Sequence, residues 1–496
     1  MKRTRALALA VTWVLAGCAI RPDLTPPAVP LPGAFVGATD TAADLTVPWW
    51  EQFDDPVLSD LVQKGLTDNI DVRIALDRLG AARAYEAGSV AGLLPTVNAT
   101  AGGGHGTGVD ETKGRVDTPF GAGLNSKAVP NVNQAAGFDA TWQLDLFGRT
   151  RLAIADAHAV RASLEAGRDG VRQAVAANIG EAYVRYRQAQ WDVSILTDAV
   201  AVARQARDLA HDRYRAGIRN GLDAQIAERE SQTSEATLAL TVAARDNARG
   251  ALAVYLGRYP EAGLPELASA KPIPASTTAP PDSAPVALLQ RRPDLRQAVA
   301  DWQRAGIKVG DATAALFPRV ALTAAVGAEQ GPVQNGVIPG THLWSVGPSM
   351  IWPILDFGAL DAAIEAARWQ QRAALDGYKR AILNAVAEVD RQRTLLHAAR
   401  DRAQHLDAAV VASLAAVQLA QARYTAGLTD FAAVADSDRA AVRAQLEYSA
   451  ALADAATAFI RLQVALGGGW TADPAATPAY RPSPAIIALI EHAQAP

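Results

Sequence analysis

The sequence predicts a mainly α fold with a small membrane β part: long antiparallel helical pairs forming a coiled-coil tunnel, joined to a β-barrel that one chain cannot close. Three observations predict it. Two stretches of nearly seventy residues, Gly148–Ala216 and Gly358–Ala426, lack proline and repeat apolar residues at helical spacing. Each follows a pair of segments in which the period changes to two. The whole arrangement occurs twice in 496 residues, so the chain is an internal duplication.

In the first rod Val160, Leu164, Val171, Val175, Ile179, Tyr183, Tyr186, Val193, Leu196 and Val200 fall three, four or seven apart, on one helix face. In the second, Leu375, Tyr378, Ile382, Val386, Val389, Leu396, Leu406, Val410, Leu414 and Val417 follow the same pattern, with one step of ten between Leu396 and Leu406. A helix of this length reaches about 100 Å at ~1.5 Å per residue, far beyond what a compact globule uses. Half the residues are apolar, yet no unbroken run of ~18 appears, so any bilayer crossing by the mature chain is expected from strands. The formal charge is −4, or −7 without Lys2, Arg3 and Arg5, which argues against nucleic acid as a partner.

Residues 1–17 read as a signal peptide: Lys2, Arg3 and Arg5 precede an apolar core from Ala6 to Ala16. The core ends in Leu15-Ala16-Gly17-Cys18, and Cys18 is the only cysteine. This resembles the lipobox of bacterial lipoproteins, which implies cleavage before Cys18 and lipidation of its sulfur. Ala19 rather than Asp after it implies the outer membrane. Residues 18–54 are proline-rich and aperiodic, an extended lipidated tether.

The first repeat spans residues 55–259. Asp55-Pro56 is a helix N-cap with proline in the first turn, opening a short helix to about Thr67. A second helix begins at Asp71 and stops at Leu94-Pro95. A β-hairpin over about 95–147 is read from Thr96–Ala101 and Phe138–Leu144, on either side of a Gly-rich loop. The long helix follows over about 148–216, then a glycine break, then a return helix over about 222–256. The return helix is half the length of its rod, and the helix ending near Leu94 supplies the missing half if the two stack end to end.

Residues 260–292 are a Pro-rich connector. The second repeat, 293–470, has its hairpin at about 318–357, its long helix at about 358–426 and its return helix at about 430–466. Asp71-Val72-Arg73 matches Asp294-Leu295-Arg296 at an offset of 223, and Leu146-Phe147-Gly148 matches Asp356-Phe357-Gly358 at 210. The 13-residue difference falls in the outer hairpin loop, where surface exposure tolerates insertion. Residues 471–496 form a Pro-rich tail in which a short apolar run near Ile486 has no place in the repeat.

Two hairpins give four strands. An open four-stranded sheet in lipid leaves edge hydrogen bonds unmade at several kcal/mol each, and a barrel with a lumen takes more than about eight strands. Several copies must therefore share one barrel.

At this point the chain resembles the TolC-like outer membrane efflux proteins, in their lipoprotein branch. The resemblance rests on the lipobox, Pro48-Trp49-Trp50-Glu51-Gln52-Phe53 before Asp55-Pro56, the strand entries after Leu-Pro and Phe-Pro, the two Phe-Gly junctions and the paired Arg-Tyr-x-Ala-Gly turns. It implies a homotrimer with a twelve-stranded barrel in the outer membrane, a helical tunnel through the periplasm, a periplasmic adaptor and an inner-membrane transporter. It also implies adaptor contact at Ala216, Gly217 and Ile218 and at Ala426, Gly427 and Leu428. It places Tyr424, Asp436 and Arg439 at the periplasmic gate, with Asp430 a further candidate and Phe431 a candidate to narrow the bore. Carboxylates repeated around an axis repel, raise one another's pKa and attract cations. Ala432 and Ala435 depart from the family, where leucine is commoner.

Nothing points to catalysis, a cofactor or a metal. Gly102-Gly103-Gly104-His105-Gly106 lacks the lysine and hydroxyl of a phosphate loop, and His397 with His405 is an isolated pair on a rod face. The function read from the sequence is a passive outer membrane exit duct for small molecules in a tripartite efflux system, opened at its periplasmic end by partners. The alternatives are a type I protein-secretion duct, a non-conducting periplasmic scaffold or adhesin, and an envelope hydrolase on a helical stalk. Conductance separates duct from scaffold, and a zymogram tests the hydrolase.

Overall fold

A computed structural model of the chain describes residues 20, 22–35, 48–110, 115–118, 121–124, 127–217, 220–276, 285–330, 332–333, 336–337 and 341–469. The signal sequence, Cys18, Ile218 and the tail 471–496 lie outside the described residues.

Asp55 caps α1 (Pro56–Asp68) by accepting the Val57 N–H at 2.9 Å. Asn69 then ends α1 and caps α2 (Ile70–Ala91), accepting the Asp71 N–H at 2.8 Å. The next strands are β1 (Thr96–Asp110) and β2 (Lys127–Leu144), followed by the rod α3 (Arg149–Arg215) and its return helix α4 (Gly221–Tyr255). The second repeat comprises a short α5 (Pro285–Arg291), α6 (Pro293–Ala314), β3 (Arg319–Gln330), β4 (Thr341–Ile351), the rod α7 (Ala359–Thr425) and its return helix α8 (Phe431–Ala465). Both rods are 67 residues long.

Each return helix meets the first long helix of its repeat end to end, and the junction is bonded in the same way twice. The Asn69 side-chain amide donates to the Tyr255 carbonyl at the end of α4, at 2.9 Å. At the equivalent place Arg292 donates to the Ala465 carbonyl at the end of α8, also at 2.9 Å. A continuous rod thus lies beside a two-piece partner in each repeat. The strands leave at one end of the rods and the turns close the other, about 100 Å away by helix rise.

The four long strands form one antiparallel sheet in the order β1-β2-β3-β4. Its register sorts the side chains cleanly. Phe138, Val326 and Trp344 lie across from one another on one face, as do Trp142, Leu322 and Pro348. The other face carries Asn98, Asp139, Thr141, Thr323, Ser345 and Ser349, and the Asn98 amide donates to Asp139 at 2.9 Å. One apolar and one polar face, alternating along each strand, is the pattern of a wall between lipid and a water-filled lumen. Trp142 donates its indole N–H to the Leu93 carbonyl at 2.9 Å, and its duplicate Trp352 to the Leu316 carbonyl at 3.0 Å, anchoring each strand end to the turn before its hairpin.

The main core sits at mid-height, where α1, α3, α8 and the segment before α1 converge. That segment is not a free tether at its end: Trp49–Phe53 forms a 3-10 turn with both tryptophans and Phe53 buried. Phe53 meets Phe459 edge-on at 5.4 Å. Gly180 admits the Trp49 ring, since a Cβ there would lie 2.5 Å from it. A buried polar chain ties the same segment to α3: Tyr183 donates to Asp55 at 2.6 Å and Arg187 donates to the Tyr183 oxygen at 3.0 Å. Burial and the neighbouring carboxylate push the Tyr183 phenol well above its ordinary range. Its hydroxyl therefore stays a donor, and Asp55 stays the acceptor.

Among the described residues α7 is long and apolar enough in composition to cross a bilayer, although it contains no unbroken apolar run. Its most apolar stretch is almost wholly uncovered within the chain. A rod more than three times the length a bilayer needs, with apolar residues spread along it, has a surface suited to other helices.

Candidate functional site

The site lies where the two helical pairs end. Both turns share one backbone solution. Gly217 and Gly427 take left-handed φ values of 70° and 75°, which side chains disfavour, and each donates its N–H to a tyrosine carbonyl at 3.0 Å, Tyr214 and Tyr424 respectively. In the second turn the Leu428 N–H also reaches the Arg423 carbonyl at 2.9 Å. Ala216, Gly217, Ala426, Gly427 and Leu428 are exposed, with Leu428 70% accessible. Arginines close both rods, Arg213 and Arg215 on α3 and Arg423 on α7, where the helix dipole favours cations.

Tyr424 is buried, at 6% exposure, within a small core of Ala210 on α3, Ala227 on α4 and Phe431, Val434 and Ala435 on α8. Its ring meets Phe431 edge-on at 5.7 Å, and the Arg213 guanidinium lies over it at 5.0 Å. Tyr424 therefore joins all four helices at the mouth. Phe431 does not narrow a bore. It is 5% exposed and faces inward, because it shares the α8 face of Val434 and Ala435, three and four residues on.

Asp430 is the N-cap of α8 and accepts the Ala433 N–H at 3.1 Å. Asp436 pairs with Arg439 one turn later on α8, and Arg439 also reaches Glu230 on α4 at 3.2 Å. Asp436 and Arg439 are thus brought together, and the bridge to the other helical pair goes through Glu230. Glu230 is 16% exposed, Asp436 69%. Asp438, between Asp436 and Arg439 in sequence, has its carboxyl pushed up by burial and then by the Glu230 charge. Glu230, Asp438 and Arg213 complete the site and are absent from the sequence reading. The signal for Glu230 is the duplication itself: at an offset of 210 it falls on Ala440, so only the first repeat has an acid there.

Behind this bridge an open cleft of about 670 Å³ separates the helical pairs. Ile195 and Val202 on α3 and Leu414 and Val417 on α7 line it, and Phe431 and Arg439 bound it. The helical pairs thus meet at their tip through one small apolar core and one ion-pair chain, and they meet again beyond the cleft, where Trp191 packs on Tyr448 and the Ser449 hydroxyl donates to Asp192. Among the described residues no group of three or more His, Cys, Asp or Glu is placed to hold a metal.

Residues 61–258 and 284–468, most of both repeats and the last part of the connector, match the family model described as outer membrane efflux protein. The chain belongs to the outer membrane efflux protein family. The matched segments bracket the junctions, rods and turns described above, which makes the chain an efflux duct of the outer membrane. It is similar to nodulation protein T of Rhizobium leguminosarum bv. viciae, 30% identical over 96% of both chains. It is also similar to the toluene efflux pump outer membrane protein TtgC of Pseudomonas putida, 28% identical over 94% of this chain and 95% of that one. Among solved structures the outer-membrane channel OprN superposes with a TM-score of 0.77 at 31% identity, covering 90% of this chain and 99% of that one.

Proposed function

We propose that this efflux protein is the passive exit duct of a tripartite pump for small molecules, working as a homotrimer. One observation carries the reading: a four-stranded sheet with one apolar and one polar face, its edges open, sits at one end of rods about 100 Å long by helix rise. Three such sheets give twelve strands, enough to enclose a lumen, and three pairs of helical pairs continue it. Small-molecule cargo is supported by the name of a relative, a toluene efflux pump protein. Energy and selection come from partners, an inner-membrane transporter and a periplasmic adaptor that meets Ala216-Gly217-Ile218 and Ala426-Gly427-Leu428.

The resting mouth is restrained at the second turn. Tyr424 holds four helix ends in one core, while Asp436, Arg439 and Glu230 form a chain of charges from α8 to α4. Exposed ion pairs contribute about 1 kcal/mol or less each, so a partner engaging the turns can release them at modest cost. Asp430 acts as the cap that keeps α8 in register with that chain. Cys18 carries a lipid that holds the N-terminus to the outer membrane.

Purified protein in a planar bilayer tests the duct: a small steady single-channel current is expected, and no current from inserted protein would overturn the reading. Labelling with a radioactive fatty acid tests the anchor. A Cys18→Ser chain that still takes up label would contradict it.

A further inference from the structure

The cleft behind the mouth is bounded at both ends, by the Tyr424 core at the tip and by Trp191 on Tyr448 beyond it. Its volume of about 670 Å³ falls within the ~300–1,000 Å³ of small-molecule sites. Four helices wall it. Ile195 and Val202 come from α3, Leu414 and Val417 from α7 and Leu446 from α8, while Thr237 faces it from α4. Val202 and Leu414 remain 44% and 42% exposed, although they stand between helices. Apolar walls held apart by contacts at either end leave room that an apolar guest can fill.

The charges along the cleft are not balanced. Its three bases all have acids: Arg402 pairs with Asp454 at 2.9 Å, Arg443 with Glu447 at 2.8 Å, and Arg439 with Asp436 and with Glu230 at 3.2 Å. Two acids remain. Asp198 on α3 and Asp438 on α8 line the cleft, and among the described residues neither has an ion pair or a hydrogen bond. Asp198 is exposed and keeps its water. Asp438 is half-buried, and burial together with the Glu230 charge raises its carboxyl. A carboxylate partly withdrawn from water, with no base or donor in return, carries an uncompensated desolvation cost. The cleft's own bases are committed elsewhere, so the missing positive charge has to come from a ligand.

We infer that the cleft is a binding site for an apolar organic cation, its body between the α3 and α7 walls and its positive centre beside Asp438. Such a compound satisfies both halves of the site at once. A neutral guest would leave the carboxylate unpaired, and an anion would be repelled by it. The site lies within one chain, so it requires neither the trimer nor the passage of cargo.

Ethidium, a permanent cation with an apolar ring system, is a suitable probe, and its fluorescence anisotropy with the full chain in detergent reads binding. Saturable binding at one site per chain is expected. Asp438→Asn, nearly isosteric, should weaken it roughly tenfold, the scale of one charge-assisted contact. Val202→Trp fills the cleft from the α3 wall and should weaken binding as much without touching the carboxylate. Asp376→Asn removes an exposed acid far along α7 from the cleft and should bind as the natural chain does, which separates the site from a general attraction of cations to an acidic protein. Affinity of the natural chain should fall as pH is lowered through the raised Asp438 value, since protonation removes the charge, while Asp438→Asn should show no such fall. Uptake that never saturates, or equal affinity in the natural chain and Asp438→Asn, would overturn the site. Saturable binding that Val202→Trp leaves unchanged would put the ligand outside the cleft and overturn it as well. The duct reading is judged separately, by single-channel current, and survives either failure.

Discussion

The two turns at the mouth are duplicates with the same backbone and opposite side-chain environments. Gly217 and Gly427 adopt nearly the same left-handed φ and make the same turn hydrogen bond. Yet Tyr214 in the first is 52% exposed, while Tyr424 in the second is 6% exposed. Tyr424 is covered by Ala210 and Ala227 of the other repeat as well as by its own return helix, and one position of that helix has diverged clearly. Where α8 begins with Phe431, α4 begins with Gly221, which offers Tyr214 no ring to pack against. The acid that receives Arg439 is also one-sided, since Glu230 has Ala440 as its counterpart. Duplication fixed the scaffold, and divergence of a few side chains gave the second turn a packed core and an ion-pair chain without counterpart at Gly221 and Ala440.

Breaking the second turn should therefore cost far more than breaking the first. Tyr424→Ala removes a buried ring from a four-helix core and should destabilise the mouth by about 3 kcal/mol. Tyr214→Ala should cost about 0.5 kcal/mol or less. Hydrogen exchange at the ends of α7 and α8 against those of α3 and α4 reads the contrast, and equal losses would dissolve it. Gly217→Ala and Gly427→Ala should each cost about 1–2 kcal/mol, because both impose left-handed backbone on a side chain. Here the turns are expected to behave alike, and unequal loss of helix-end protection would place the asymmetry in the backbone after all.

The charge chain is smaller in effect and sharper in location. Glu230→Gln leaves Arg439 with Asp436 alone and should weaken the α4–α8 contact by about 1 kcal/mol or less per copy, since Arg439 is half exposed. Gln at Ala440, the mirror position, should do nothing. Proteolytic nicking at the mouth compares the two.

The smallest effect concerns pH. Because the Asp438 carboxyl is raised in the folded mouth, its ionised form carries a penalty at neutral pH that is relieved as pH falls through the raised value. Mild acidification should thus tighten the closed mouth. Asp438→Asn should be tighter already at neutral pH and respond less to acid, as exchange rates across that range would reveal.

The fold class was legible because its signals are local and repeated. A 67-residue helix needs only an uninterrupted three-and-four period, and the sheet only alternation between turn residues. The hydrogen-bonded indoles of Trp142 and Trp352 and the bonded junctions at Asn69 and Arg292 gain their meaning from the same repeat, read twice. The mouth was legible less completely. Asp436 and Arg439 are one helical turn apart and readable as neighbours, whereas Glu230 stands more than two hundred residues from Arg439 and meets it only through tertiary packing. Phe431, a candidate to narrow the bore, belongs instead to the packed face, and its spacing of three and four to Val434 and Ala435 is the sequence signal for that placement.

The most direct test of a mouth restrained at the second turn is single-channel current through the full protein in a planar bilayer, with Glu230→Gln beside the natural sequence. A small steady conductance that grows in the variant is the predicted result. The same conductance in both, with the protein inserted and folded, would contradict the account.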